Sequence, residues 1–263
     1  MALNRAVDDY SPISLDEIDG IRLMERTDTK FVTTERKAFG LLREMRNYYY
    51  VQEIEGRREA AYYTLYFDTK DCKMFRAHHN GKLTRQKLRI RSYVDSNLYF
   101  LEVKTKDNHG RTGKQRMEMD NFDPQHRNGF EEACGSQALQ CEDFLKGKLW
   151  YDYSLLEGKI ENNFSRVTLV DKRKTERLTI DTGISFHNLV NGADLSLGGL
   201  AIIELKRQGH SPSQILGALR RHRIMPMGFS KYCIGMAMTD QDLRRNLLLP
   251  VISRVEKIRD EKY

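Results

Sequence analysis

Lys87, Arg89 and Arg91 alternate with Leu88 and Ile90 in the run from Thr84 to Tyr93. A β-strand sends successive side chains to opposite faces, so the three cations share one face and the aliphatic residues share the other. Arg85 extends the charged row. Cations in a row repel one another unless something anionic lies across them, and the apolar side must be covered. Such a face suits a polyanion. Taken alone, the strand fits equally well a sheet showing its polar side to water, or an edge strand charged against aggregation. Repetition in other strands separates these readings.

The pattern recurs. Glu102, Lys104 and Lys106 oppose Tyr99, Leu101 and Val103, and Lys114, Arg116 and Glu118 oppose Gly113, Met117 and Met119. Arg166 and Thr168 oppose Val167 and Leu169, and Arg177 and Asp181 oppose Leu178 and Ile180. Glu204 and Lys206 oppose Ala201, Ile203 and Leu205, while Arg26, Asp28 and Lys30 share a face in the first strand. Several helices also need an apolar partner. The economical solution is an α+β fold: a closed antiparallel β-barrel tunnel of about eight strands, with a charged lumen and helices packed outside. The alternative is an open sheet with helices on one face and water on the other.

Arg forks and Lys ammonium groups both bind phosphate oxygens with charge assistance, so the lumen suits a chain of phosphates. The interspersed acids Glu102, Glu118, Asp181 and Glu204 either pair with neighbouring cations or converge to hold Mg²⁺ or Mn²⁺, which bridges phosphates. Glu204 is the first choice for the metal, with Glu102 second. It sits centrally in an apolar strand, with Lys206 following on the same face.

The elements that position these residues are legible in outline. Thr33 or Thr34 caps a helix with apolar residues at Ala38, Leu41, Leu42 and Met45. Strands are expected at 22–32, 48–54, 61–67, 84–94, 98–106, 112–120, 159–170, 175–181 and 200–207. The segment 128–157 reads as helical. Ser211-Pro212 opens an amphipathic helix with Ile215, Leu216 and Leu219, another helix starts near Ser230, and a last one spans 251–262. His79-Asn-Gly-Lys82 reads as a turn, with His78 and His79 in water.

The chain has 263 residues and a formal net charge of +7, which favours anionic partners. No linker divides it, so one domain over 1–263 is expected, with its core at about 22–235 and a helical extension at 236–263. Cys72, Cys134, Cys141 and Cys233 form no C-x-x-C pair and read as reduced thiols. The start of the sequence has no apolar signal core and no stretch suits a membrane span, so a cytoplasmic protein is expected. Nucleic acid is not an expected partner, because the cationic strands lack a row of aromatic stacking residues.

An ordered set of motifs resembles the VTC-type polyphosphate polymerase domain of the triphosphate tunnel metalloenzyme superfamily. It runs through the stretches 26–31, 66–69, 87–93, 100–104, 114–116, 165–169, 177–181, 203–206 and 229–232. The resemblance implies transfer of the γ-phosphate of ATP to a growing polyphosphate chain, with Mn²⁺ or Mg²⁺ as cofactor. It implies that Lys30, Lys87, Arg89, Arg91, Lys104, Lys114, Arg166, Arg177, Lys206, Ser230 and Lys231 line the phosphate path, and the strand pattern adds Arg116 as a further substrate-binding candidate. Lys206, Arg166, Arg177 and Lys87 are then the catalytic candidates, and Glu204 the metal ligand. Phe164 stands where the family often has Tyr. The hydrolytic CYTH branch of the superfamily carries Glu-x-Glu-x-Lys in its first strand. Here the segment reads Glu25-Arg-Thr-Asp-Thr-Lys30 and departs from that pattern, which lowers the hydrolase reading.

Overall fold

The computed structural model describes residues 4–19, 26–209 and 212–261. Glu25 and Ser211, named above, lie outside the described residues. The strands are β1 (Ser11–Ile13), β2 (Arg26–Thr34), β3 (Tyr49–Gln52), β4 (Glu59–Thr69), β5 (Arg85–Tyr93), β6 (Leu98–Lys106), β7 (Thr112–Met119), β8 (Leu156–Asp171), β9 (Glu176–Asn188), β10 (Asp194–Ser196) and β11 (Leu200–Gln208). The helices among the described residues are α1 (Asn4–Val7), α2 (Leu15–Asp19), α3 (Glu35–Met45), α4 (Lys73–His79), α5 (Phe130–Cys134), α6 (Ala138–Leu145), α7 (Gln214–Arg221), α8 (Lys231–Thr239) and α9 (Leu249–Arg259).

The main path of the sheet runs β2-β11-β9-β8-β4-β5-β6-β7, and every neighbouring pair in it is antiparallel. The expected closed barrel does not form. β2 and β7 end the path, and no ladder joins them. The outer edge of β2 is already occupied: Phe31 bridges Pro226, and the Lys30 carbonyl accepts from the Met227 N–H at 2.8 Å. β7 is exposed along most of its length and carries Lys114, Arg116 and Glu118, charges that blunt an edge.

The sheet nevertheless curls strongly. Lys30 Nζ on β2 donates to the Phe229 carbonyl at 3.1 Å, and Lys87 Nζ on β5 donates to Ser230 Oγ at 2.7 Å. Adjacent residues thus touch strands five steps apart in the path, a separation of about 24 Å in a flat sheet. The result is an open trough whose walls face each other across the start of α8.

Strand alternation assigns the two faces. On the outer face Val167, Leu169, Leu178, Ile180, Ala201, Ile203 and Leu205 form one buried cluster with residues of α3 and α7. Leu88, Ile90, Leu101 and Val103 cluster with residues of α5 and α6. Thr34 caps α3 by accepting from the Lys37 N–H at 3.2 Å, and Ala38, Leu41, Leu42 and Met45 are buried as their spacing requires. The helix expected from Ser211-Pro212 begins later, at Gln214 behind Ser213.

Not all helices pack outside. α8 lies against the inner face, clustered with Ile160, Ile184, Phe186, Leu200 and Ile202. Gly235 permits this close approach. A Cβ there would stand 2.6 Å from Phe186 Cδ1 and 2.8 Å from Ile160 Cδ1. Where the sequence suggests only a turn before β5, α4 forms. The buried Asp68 carboxylate accepts from the N–H groups of Met74 (2.9 Å) and Phe75 (2.8 Å) and from the Tyr232 hydroxyl (2.6 Å), fixing α4 to α8. His79 is accordingly buried rather than solvated, and its Nε2 accepts from the Leu247 N–H at 3.2 Å. His78 is half-buried.

Gly235→Ala pushes α8 off the inner face and is expected to cost about 1–3 kcal/mol, the usual penalty of overpacking. Urea denaturation of the variant measures it.

Candidate functional site

The register brings the charged inner positions of the two walls together. On one wall, Arg89 opposes Glu102 and Lys87 opposes Lys104, while Lys114 stands opposite Lys104 on the edge strand. On the other, Glu204 pairs with Lys30 and Lys206 with Arg177, while Asp181 opposes Arg166. Many of these side chains are out of water: Glu102 is 0%, Asp181 3% and Arg89 5% exposed. A row of solvated surface charges does not look like this.

Four groupings fill the trough. Arg89 Nε donates to Glu102 Oε2 at 2.7 Å and Lys114 Nζ to Oε1 at 3.2 Å, so both oxygens of Glu102 are engaged. Arg166 forks onto Asp181 with bonds of 2.6 and 2.8 Å, and Lys231 reaches the same carboxylate. Glu204 lies 3.4 Å from Lys206 Nζ and 3.9 Å from Lys30 Nζ. Ser230 caps α8, accepting from the Cys233 N–H at 3.2 Å and from Lys87. That cap aims the positive end of the α8 dipole at the charged part of the trough.

Aromatic rings support the cations from beneath. Phe164 stacks on Tyr62 with centroids 5.0 Å apart. Arg166 lies 5.2 Å and Lys231 3.8 Å from the Phe164 ring, and Arg91 lies 5.4 Å from Tyr62. Each such contact is worth about 0.5–2 kcal/mol. Phe164 thus forms a floor for cations and offers no hydroxyl. Arg116 lies 4.7 Å over Phe100 on the exposed edge strand. Arg177 sits at the far end of the trough, where its Nη2 donates 3.0 Å to the Ile18 carbonyl and ties β9 to α2.

The electrostatic field is strongly positive. Burial opposes ionisation of Glu204, yet Lys206, Lys30, Arg166 and Lys104 outweigh it and hold the carboxyl at about 2. Glu102 and Asp181 are likewise held well below the carboxylate range, as their cations overcome burial. Even the buried Tyr66 phenol is drawn below its usual value, Arg89, Arg91 and Lys87 together outweighing burial. The cations suffer the converse. Arg89, then burial and Arg91, push Lys104 well down, and burial brings Lys231 to about 7 against the pull of Asp181. At the inner positions of the strands, the cations Lys30, Lys87, Arg89, Arg91, Lys104, Lys114, Arg116, Arg166, Arg177 and Lys206 outnumber the carboxylates Asp28, Asp68, Glu102, Glu118, Asp181 and Glu204. The surplus is a standing cost that a bound polyanion relieves.

Among the described residues no group of three or more His, Cys, Asp or Glu converges as a metal cage. Glu204 is the carboxylate suited to a cation: ionised, partly accessible and free of a tight fork. Mg²⁺ and Mn²⁺ are commonly held by one or two carboxylates with the remaining positions filled by substrate phosphates and water, so this donor set fits them.

A family model described as the VTC domain matches residues 25–239. The chain belongs to the VTC domain family. No curated protein sequence matches it. Among solved structures it is similar to HpAC1 of Hippeastrum, described as a putative adenylyl cyclase with a dominant triphosphatase activity. That match has 16% identity, covers 82% of this chain and 97% of the other, and has a TM-score of 0.47. It is also similar to a conserved hypothetical protein of Pyrococcus furiosus (12% identity, 78% and 97% covered, TM-score 0.40). The PH1012 protein of Pyrococcus horikoshii OT3 is a further match (9% identity, 77% and 97% covered, TM-score 0.36). No helix among the described residues of this VTC domain is long and apolar enough to cross a membrane.

Three features of the site had no counterpart in the sequence reading. The Tyr62–Phe164 stack joins β4 to β8, the Asp68–Tyr232 bond orients α8, and Asp181 is shared between Arg166 and Lys231. The alternation of Tyr62, Thr64, Tyr66 and Asp68 along β4 placed them on the charged face. Only the curl of the sheet shows which groups meet there.

Lys231 loses its charge as pH rises through about 7, so it attracts an anion below that value and not above it. Calorimetric titration with tripolyphosphate is therefore expected to show a step of weakening affinity near neutral pH, superimposed on the ligand's own ionisation. Lys231→Met removes that step.

Proposed function

We propose that this VTC domain is a polyphosphate polymerase that transfers the γ-phosphate of ATP to the end of a growing phosphate chain. The observation that carries this reading is the excess of cations over carboxylates on the inner face. Phosphoryl transfer depends mainly on positioning and charge neutralisation. A terminal phosphate acceptor is already anionic and needs no base to remove a proton. Hydrolysis has to orient and activate a neutral water.

Each wall has a role. Lys87, Arg89, Arg91 and Arg166 grip the triphosphate, with Ser230 and the α8 terminus contributing donors. Lys206 neutralises charge developing at the transferring phosphate. Glu204 would hold the divalent metal, Mg²⁺ or Mn²⁺, which would supply Lewis-acid neutralisation of phosphate charge. Lys30, Lys104, Lys114, Arg116 and Lys231 guide the chain along the trough, and Arg177 anchors the end closed by α2. Glu102 holds Arg89 and Lys114 in place from beneath.

The purified protein, given γ-labelled ATP and Mn²⁺, is expected to produce a ladder of long phosphate chains on a sizing gel. Orthophosphate alone at comparable turnover overturns this in favour of a triphosphate hydrolase. Saturable polyphosphate binding without turnover makes the chain a non-catalytic binding module. Lys206→Ala is expected to lower turnover by 10²-fold or more while the protein stays folded. A folded, fully active variant refutes the role given to Lys206.

A further inference from the structure

β7 ends the main path of the sheet, and among the described residues no strand pairs with its outer side. Thr112 to Arg116 and Glu118 are exposed. An edge of this kind presents a row of N–H and C=O groups to any strand that can lie along it. The opposite end of the path differs, because β2 is already met by Pro226 and Met227. The path therefore has one free edge.

The charges along that edge are the second observation. Lys114, Arg116 and Glu118 alternate on the inner face, and Asp120 continues the alternation just past the strand. Lys114 is paired with Glu102 inside the trough. Arg116, Glu118 and the Asp120 carboxylate form no ion pair or side-chain hydrogen bond with the described residues, and Arg116 lies over the Phe100 ring at 4.7 Å instead. The end of the strand is held in place, since the Asp120 N–H donates to Gln137 Oε1 at 3.1 Å. Two carboxylates and a guanidinium thus stand ready beside an open backbone edge.

We propose that β7 is the contact surface for a second copy of this chain, the two strands pairing antiparallel about a two-fold axis at Met117. Residues directly opposite in such a pair project to the same side, close enough for their side chains to meet. In this register Arg116 faces Glu118 of the second copy, Glu118 faces its Arg116, and Lys114 and Asp120 face each other at both ends. Met117, partly buried on the outer face, meets its own copy on the axis. Sliding the strands by two residues one way sets Arg116 against Arg116, and the other way sets Glu118 against Glu118. A slip of one residue sets the charged positions against the outer face. Charges discourage indiscriminate pairing at an edge, and their order here leaves one register in which only opposite charges meet. The contact is isologous and uses up the free edge of each copy, so association stops at two. Both inner faces then lie on the same side of one continuous sheet. An edge of eight residues makes a small interface, which gives a reversible dimer. The inference is independent of the phosphate reading of the trough.

The test is sedimentation of the full chain over a concentration series at low salt. Wild type is expected to shift from monomer to dimer as concentration rises, and back toward monomer as salt screens the pairs. Arg116→Glu and Glu118→Arg each place like charges opposite one another, and each alone is expected to weaken dimerisation about tenfold or more. Mixing the two variants restores it as a heterodimer, because each chain then supplies the charge that the other needs. The double variant, with both reversals in one chain, restores the homodimer. A chain that stays monomeric throughout overturns the proposal. So does a dimer that persists unchanged in both single variants, or a mixture that fails to associate. Should a variant fail to fold, hydrogen exchange of the β7 amides in wild type decides. Protection that grows with protein concentration supports the pairing, and protection independent of concentration overturns it.

Discussion

Like-charge repulsion across the trough is the constraint on which the rest of the structure depends. Lys87, Arg89, Arg91, Lys104, Arg166 and Lys206 project from strands of one curled sheet, and curling brings their charges closer. The fold tolerates this through three devices. Buried carboxylates at Glu102 and Asp181 take up the most crowded guanidinium groups. The Tyr62–Phe164 stack lies under Arg91, Arg166 and Lys231. The apolar outer face packs against α3, α5, α6 and α7, so that core burial carries the sheet while the inner face carries charge.

The same constraint explains why the sheet stays open. Joining β7 to β2 would bring Lys114 and Arg116 toward Lys30 and its neighbours, adding repulsion at the seam. The edge of β2 instead receives the short connection at Pro226 and Met227, which leads into α8. α8 therefore does two things at once. Its apolar residues fill one end of the inner face around Gly235, and its capped terminus delivers Ser230 and Lys231 to the charged end. Asp68 couples that helix to α4 through Tyr232.

Much of this was legible because strand periodicity is local. The alternation at Lys87, Arg89 and Arg91, or at Glu204 and Lys206, follows from backbone geometry alone and holds in the structure. A cap at Thr33 or Thr34 and a helix start near Ser230 were readable because capping is also a short-range event, and the structure places the caps at Thr34 and Ser230. α4 escaped because its N-terminal donors are satisfied by Asp68 and Thr69 at the end of β4 rather than by a side chain at the cap position, with Asp68 tied onward to the distant Tyr232. His79 was placed in water for the same reason: its burial depends on Leu247.

The amino-acid sequence by itself determined which residues share a face, that this face is cationic, and the VTC family to which the chain belongs. Nearest-neighbour geometry and an ordered set of motifs suffice for each. Only the tertiary structure decided that the sheet is an open trough rather than a closed barrel. Closure depends on whether two edges far apart in the chain find each other or are satisfied otherwise. It also decided that Glu102 is locked to Arg89 and Lys114 and that Glu204 remains partly accessible. Those outcomes depend on how far the sheet curls, a collective result of core packing and α8 insertion that no single segment encodes.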